Sequence, residues 1–554
     1  MYNTIKINFN SADGKTKSAD CPFGAAADSL LDNFGKVKGG IAAVRVNNEI
    51  LSLSTRLETN CTMEAVPLDS PDGALIYRRS LAFLLALAAR ERFPKRTLII
   101  GHSLGHSYYY TFADGKKRES EAAALEQEMR ALVKEDAPIR CAYLSYQEAL
   151  ALFEHHRQAD TLLLFEQRSD PKVRVNQCRS FSDLYIEPLV NRTGLLSLFE
   201  LMEYKDGFLL RFPATGQTEI EQFVDCRSLF NVYSEYKKWG RIVGVHSVGE
   251  LNRLVSQRAI KEYIRIAEAF QAKRLAEIAD RIYQCREDVR VVLIAGPSSS
   301  GKTTTAKRLS IQLQVMGMKP ISVSLDDYYR RPGEAPIDEN GQPDLECLEA
   351  LDVPFLNRQL LDLLEGREVD VPVFDFKTSS RKVRGKPITL DRRSILIIEG
   401  IHGLNDACTP QIERKLKFIL YISALTQLNL DDHNRIPTSD NRLLRRMVRD
   451  NQFRGTSAAK TISMWPSVHK GEARHIFPFQ DSADTAFNSA LDYELAVLKF
   501  YAEPLLKSVK PNMREYAEAR RLLSFLENFV PIPPQYVPGD SILREFIGES
   551  DFKY

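Results

Sequence analysis

The chain has 554 residues, 44% hydrophobic and 27% charged, and its 75 Lys and Arg against 73 Asp and Glu leave a formal charge of +2. That length exceeds a single core and points to about three or four domains, while the balanced charge gives no whole-chain argument for nucleic-acid binding. No apolar run reaches the ~18 residues of a membrane span. The eight cysteines, at 21, 61, 141, 178, 226, 285, 347 and 408, are scattered singly, and the N-terminus lacks the basic and apolar regions of a signal peptide. The expectation is a cytoplasmic protein with reduced thiols and no membrane partner.

Residues 1–68 hold short alternating runs at Ile5–Phe9, Ala42–Asn47 and Thr62–Val66, with Asp13-Gly14 as a turn signal and a helical segment near Ala25–Phe34. The pattern predicts a small β-grasp unit. Asp69–Gly73 reads as a linker, Leu75–Arg90 as a helix, and Thr97–Ile100 and Ser107–Phe112 as strands. Mixed elements follow to Phe212, including the apolar run Thr161–Phe165. Residues 250–286 carry Leu, Ile and Ala at helical spacing, which predicts one long helix. From Val291 onward, strands at 291–295, 320–325, 394–398 and 417–422 alternate with helices, the mark of a parallel sheet covered on both faces. The tail beyond Tyr501 reads as helical, then Pro-rich at 530–534. The expected division is 1–68, 69–230, a helical linker at 231–287, an α/β domain at 288–510, and an extension at 511–554.

The chemistry concentrates at Gly296-Pro297-Ser298-Ser299-Ser300-Gly301-Lys302-Thr303-Thr304, a G-x-x-x-x-G-K-T loop between an apolar strand and a helix. Its glycines let backbone N–H groups turn toward phosphate oxygens, and the helix dipole adds to the pull. Lys302 would reach the β/γ-phosphates of a nucleoside triphosphate, and Thr303 would offer its hydroxyl to Mg²⁺. Asp326, after the strand 320–325, could take a proton from an attacking hydroxyl and help hold Mg²⁺, or could simply cap the next helix. Glu399, after a buried strand, suits a Mg²⁺-water ligand, with a purely structural role as the alternative. Arg442, Arg445, Arg446 and Arg449 share one helical face, with Arg454 beyond. The face is either solvated or a lid whose guanidinium groups stabilise a transferring phosphoryl group.

Over roughly 288–500 these residues resemble the uridine/cytidine kinase branch of the phosphoribulokinase family. The likeness rests on the phosphate loop, Ser324–Tyr329, Val371–Phe376 followed by Ser380-Arg381-Lys382, Ile398–Ile401, and Arg445–Asp450. The resemblance implies a P-loop kinase using ATP and Mg²⁺, with Asp326 and Lys302 catalytic and Thr303, Glu399 and Asp326 on the metal. ATP would be held by the loop from Gly296 to Thr304 with Arg449 and Arg454. The nucleoside would meet Tyr329, Glu346, Phe374 and Arg446, with Glu346 on the ribose hydroxyls. The chain departs from the family where the base is read: Phe374 replaces a Tyr, about Ser379 replaces a His, and Thr456 replaces an Arg. Lost hydrogen-bonding groups weaken base discrimination, so nucleoside phosphorylation is better supported than uridine as the substrate.

Residues 1–68 resemble a TGS domain, and about 69–215 the α+β editing domain of threonyl-tRNA synthetases, through Ser80–Leu85, Ile100–Tyr110 and Phe199–Tyr204. The editing family's H-x-x-x-H and C-x-x-x-H groups fall on Tyr77, Leu81, Tyr185 and Leu189, which predicts no editing hydrolysis. His102 and His106 lie at i, i+4 spacing in a Gly-containing turn, where ordinary loop positions are favoured over a metal site. The basic stretch Arg78, Arg79, Arg90, Arg92, Lys95 and Arg96 reads as a solvated helix face or a contact for RNA phosphates. Three functions follow: a nucleoside kinase, a kinase of another hydroxyl compound such as a sugar phosphate, and an RNA-binding module with a switching ATPase. The sequence leaves RNA contact and homo-oligomerisation open.

Overall fold

The computed structural model describes residues 4–553 other than 12, 13, 36, 38, 119, 332, 338–340, 342, 343, 376–379 and 382–384, together with the backbone but not the side chain of Asp375. The turn signal at Asp13 and the substitution at Ser379 therefore lie outside the described residues.

Five strands build the N-terminal sheet, with Thr4–Asn10 parallel to Cys61–Pro67 at its centre and the other neighbours antiparallel. The inward residues Ile5, Ile7, Phe9, Val44 and Met63 are buried together beneath a 3₁₀ helix, Ala27–Phe34. The period-2 alternation of the first strand explains this one-sided burial. The next helix, Pro71–Arg92, starts at the Ser70 cap, whose hydroxyl accepts from Gly73 N at 3.1 Å, and runs beyond the expected Leu75–Arg90. Its run Leu81–Ala89 is buried all round, because it packs between a four-stranded antiparallel sheet and the rest of this region. The apolar run at Thr161 is a helix, Ala159–Phe165.

The single helix expected over 250–286 is two, Val248–Ser256 and Ile260–Gln284. The break falls at Arg258, whose φ of 61° reverses the chain. Apolar periodicity survives such a break, which is why the pattern misses it. Both helices bury their apolar faces in the same core as the C-terminal sheet.

That sheet holds β1 (Val291–Ala295), β2 (Lys319–Ser324), β3 (Ser394–Glu399), β4 (Lys417–Ser423) and β5 (Thr485–Asn488) in the order β2-β3-β1-β4-β5, all parallel. Three helices matter for the site: α1 (Lys302–Val315), α2 (Thr438–Arg454) and α3 (Ala458–His475). The C-terminal ends of β1, β2 and β3 open onto one crevice, the usual ligand position in such sheets. Among the described residues, no helix is long and apolar enough to cross a membrane.

Candidate active site

β1 is wholly buried, and the chain leaving it must turn tightly into α1. Gly296 is required there, since a Cβ would stand 2.0 Å from the Ile422 carbonyl oxygen. Gly301 is required as well, with φ of +83°. Lys302 Nζ donates to the carbonyls of Gly296 (3.0 Å) and Pro297 (3.2 Å), folded over its own loop. Thr304 donates from both N (3.1 Å) and Oγ1 (2.6 Å) to the Glu545 carboxylate.

The loop is braced from behind. Glu472, completely buried on α3, accepts from Ser298 N at 3.0 Å and from Arg442 at 2.8 Å. Arg442 also donates to Ser298 O (3.1 Å), Arg445 to Ser299 O (3.3 Å), and Arg446 to Ser298 Oγ (2.8 Å). Arg445 is completely buried and bound to Glu494 through Nε at 2.9 Å. The reading of the arginine face as solvated or wholly a lid is thus corrected: Arg442 and Arg445 are internal braces, and the helix turns that face into the protein. Arg446, Arg449 and Arg454 stay nearer the crevice, all three paired with Asp450 at 3.3, 2.9 and 3.3 Å.

Parallel register sets Ser324 beside Glu399. Glu399 accepts from Thr303 Oγ1 (3.3 Å) and Ser324 Oγ (3.1 Å). Asp326 follows β2 in a single turn, Leu325–Tyr328, and its N–H donates to Ser324 Oγ at 3.3 Å. Burial raises the Asp326 carboxyl above the ordinary range, opposed by the charges of Lys302, Arg454 and Arg449. Burial, then the Asp326 charge, pushes Glu399 up to about 7. Two carboxyl groups this close, the Asp326 charge raising Glu399 and Thr303 Oγ1 beside them, form a donor set suited to a divalent cation, which would relieve the repulsion on Glu399. Mg²⁺ is commonly held this way, by one or two carboxylates plus substrate phosphates.

Beyond Asp326, the Tyr329 and Phe374 rings lie 6.1 Å apart, edge to face. Tyr329 O–H donates to Leu345 O at 3.0 Å, and Phe374 N donates to Asp327 Oδ1 at 2.8 Å. Glu346 packs on Gly471, where a Cβ would be 2.6 Å from its own. Burial raises Glu346 to about 7; Arg446 opposes the rise, and Glu472 adds to it. The sequence-predicted residues therefore converge on one crevice. Glu472 and Glu545 were not legible in the sequence, because lone glutamates about 170 and 240 residues from the loop carry no local signal.

In the N-terminal half, Leu81, Tyr185 and Leu189 are 0, 2 and 2% exposed, and Phe83 packs edge to face on Tyr185 at 5.7 Å. Core fills three of the four positions matched to the editing family's polar groups; at the fourth, Tyr77 is half-buried and its O–H donates to Leu198 O at 3.1 Å. His102 is buried inside the strand Leu98–Ser103 rather than in a turn, 3.2 Å from Thr438 Oγ1. The basic stretch is largely engaged: Arg78 with Thr215, Arg79 with Glu187, Arg90 with the His156 carbonyl, and Arg96 with Asp114 and Glu121.

Residues 291–496 match the model of the Phosphoribulokinase / Uridine kinase family. Over this segment the chain is similar to that family. The N-terminal part is instead similar to threonine–tRNA ligases. The relative from Thermotoga petrophila is 31% identical over 208 residues, covering 37% of this chain and 32% of the ligase. That from Desulfovibrio desulfuricans is 33% identical over 189 residues, covering 32% and 29%. The chain thus spans about a third of the length of the ligases it matches. Among solved structures, it is similar to a possible uridine kinase from Bacillus stearothermophilus, 20% identical with TM-score 0.25, covering 38% of this chain and 100% of that one. It is also similar to the D-glycerate 3-kinase of Cryptococcus neoformans, 16% identical with TM-score 0.22, covering 46% and 87%. Scores that low carry no argument about the substrate.

Proposed function

We propose that this protein is a nucleoside kinase that transfers the terminal phosphoryl group of ATP to a 5′-hydroxyl, giving the nucleoside monophosphate. The observation that carries the reading is the meeting of Asp326, Glu399, Thr303 and Lys302 at the ends of β1, β2 and β3, beside the Tyr329, Phe374 and Glu346 crevice. In that reading the amides from Ser298 to Thr304 cradle the phosphates, and Lys302 leaves its loop carbonyls for the β/γ oxygens. Asp326 accepts the proton of the attacking hydroxyl. Thr303, Glu399 and Asp326 would hold Mg²⁺, which supplies charge neutralisation on the phosphates. Glu346 orients the sugar hydroxyls, the two rings flank the base, and Arg446, Arg449 and Arg454 stabilise the charge that spreads over the moving phosphoryl group.

A second reading, phosphorylation of another hydroxyl compound such as a sugar phosphate, is favoured by one observation: Phe374 offers the base no side-chain hydrogen bond. A panel of nucleosides and sugars with labelled ATP separates the two. Asp326→Ala should abolish turnover while nucleotide still binds, and an unchanged rate would remove Asp326 from the mechanism. A switching ATPase on RNA draws little support, since the basic stretch is mostly consumed internally. We infer a cytoplasmic location, with the N-terminal half in a binding or regulatory role.

A further inference from the structure

Residues 542–547, near the end of the chain, close on the phosphate loop. Ile542, Leu543, Phe546 and Ile547 are at most 2% exposed, and the Arg445 guanidinium lies 4.9 Å over the Phe546 ring. A Cβ on Gly301 would stand 2.6 Å from Ile542 Cγ2, so this segment rests directly on the loop. Arg544 ties it to itself by donating to Val537 O (2.8 Å) and Pro534 O (3.2 Å). Glu545 alone among these residues turns back toward the crevice, keeps partial exposure, and reaches the first turn of α1.

There its carboxylate accepts from both Thr304 N and Thr304 Oγ1. In a P-loop the amides at the helix N-terminus receive the α/β-phosphates, while the lysine reaches toward β/γ. Thr304 lies two residues into the helix from Lys302, so its donors address the phosphate on the nucleoside side. A carboxylate seated on them is an internal anion in the place of that phosphate.

We propose that Glu545 is a built-in competitor for the donor's α-phosphate, setting how tightly the kinase holds its nucleotide. This rests on the kinase reading above. The buried backbone of residues 542–547 stays in place as the wall of the site, and a rotation about the side-chain bonds of Glu545 releases the Thr304 donors.

The test is ADP binding by calorimetry to the full chain with Mg²⁺, for the native protein, Glu545→Ala and Glu545→Asp. Aspartate keeps the charge but is one methylene too short to hold the seat. The expectation is that both variants bind ADP about tenfold more tightly. Unchanged affinity in Glu545→Ala overturns the proposal. So does a gain in Glu545→Ala without one in Glu545→Asp, which would mark a general field effect. Glu545→Gln, of the same shape and uncharged, replaces Glu545→Ala if the latter fails to fold. No ADP binding by any of these proteins would overturn the kinase reading itself, and the competitor with it.

Discussion

The brace behind the phosphate loop makes a demanding prediction. Glu472 is completely buried and Arg442 is 2% exposed, and together they fix Ser298 through both its N–H and its carbonyl. Glu472→Gln keeps the shape and an oxygen for Ser298 N, yet strands the Arg442 charge in a place without water. Removing one partner of a buried pair costs about 3–5 kcal/mol. For the ~200-residue unit around this sheet, that corresponds to a Tm lowered by roughly 6–20 °C. Scanning calorimetry of the full chain should show the loss in one transition. The double replacement Arg442→Met with Glu472→Met should recover most of the Tm, since the stranded charge goes too. A shift below ~2 °C for Glu472→Gln, under the cost expected of even a weak buried pair, would refute the account of the loop as held by this ion pair.

Other consequences are independent of the loop brace. Asp326→Asn should lower kcat by about 10²–10⁴ in steady-state assays while ADP affinity changes little, as expected for loss of a general base. Burial opposes a charge on His433, but the Asp183 carboxylate at 2.7 Å overrides it and lifts the imidazole to about 9. This stabilising contribution is complete below pH 6.5 and fades as pH rises through about 9; at most it is about 3 kcal/mol. Thermal melts should therefore lose Tm over that window, and His433→Gln should flatten part of the slope. His246, which Asp160 and Glu250 also lift to about 9, contributes a slope of the same sign. Leu81→Ala should cost about 2–5 kcal/mol by chemical denaturation, because the position is solid core; a cost near zero would mean that a cavity persists where the editing family has its pocket.

The chain's local signals reach a long way. An apolar β-branched strand running into glycines, lysine and threonine can do little but turn around an anion, so the loop and its helix are legible from residues 291–309. Carboxylates just past strand ends are legible for the same reason: parallel strands deliver their C-terminal ends to one edge, which brings Asp326 and Glu399 together. The helix break at Arg258 is not legible, since a single left-handed residue leaves the apolar spacing intact on either side. Nor is the fate of the arginine face. Spacing places Arg442, Arg445, Arg446 and Arg449 on one side of α2, but only the arrival of Glu472 and Glu494 from other elements decides that two of them are walled in while the rest stay near the crevice. Glu545 is the extreme case: alone in the sequence it is an ordinary surface carboxylate, and folding brings it across 241 positions onto Thr304. Sequence by itself determined which residues can do phosphate chemistry, because that chemistry is written in short-range backbone and side-chain geometry. Tertiary structure decided which charges are free to do it, because burial and pairing depend on partners that the chain brings from far away.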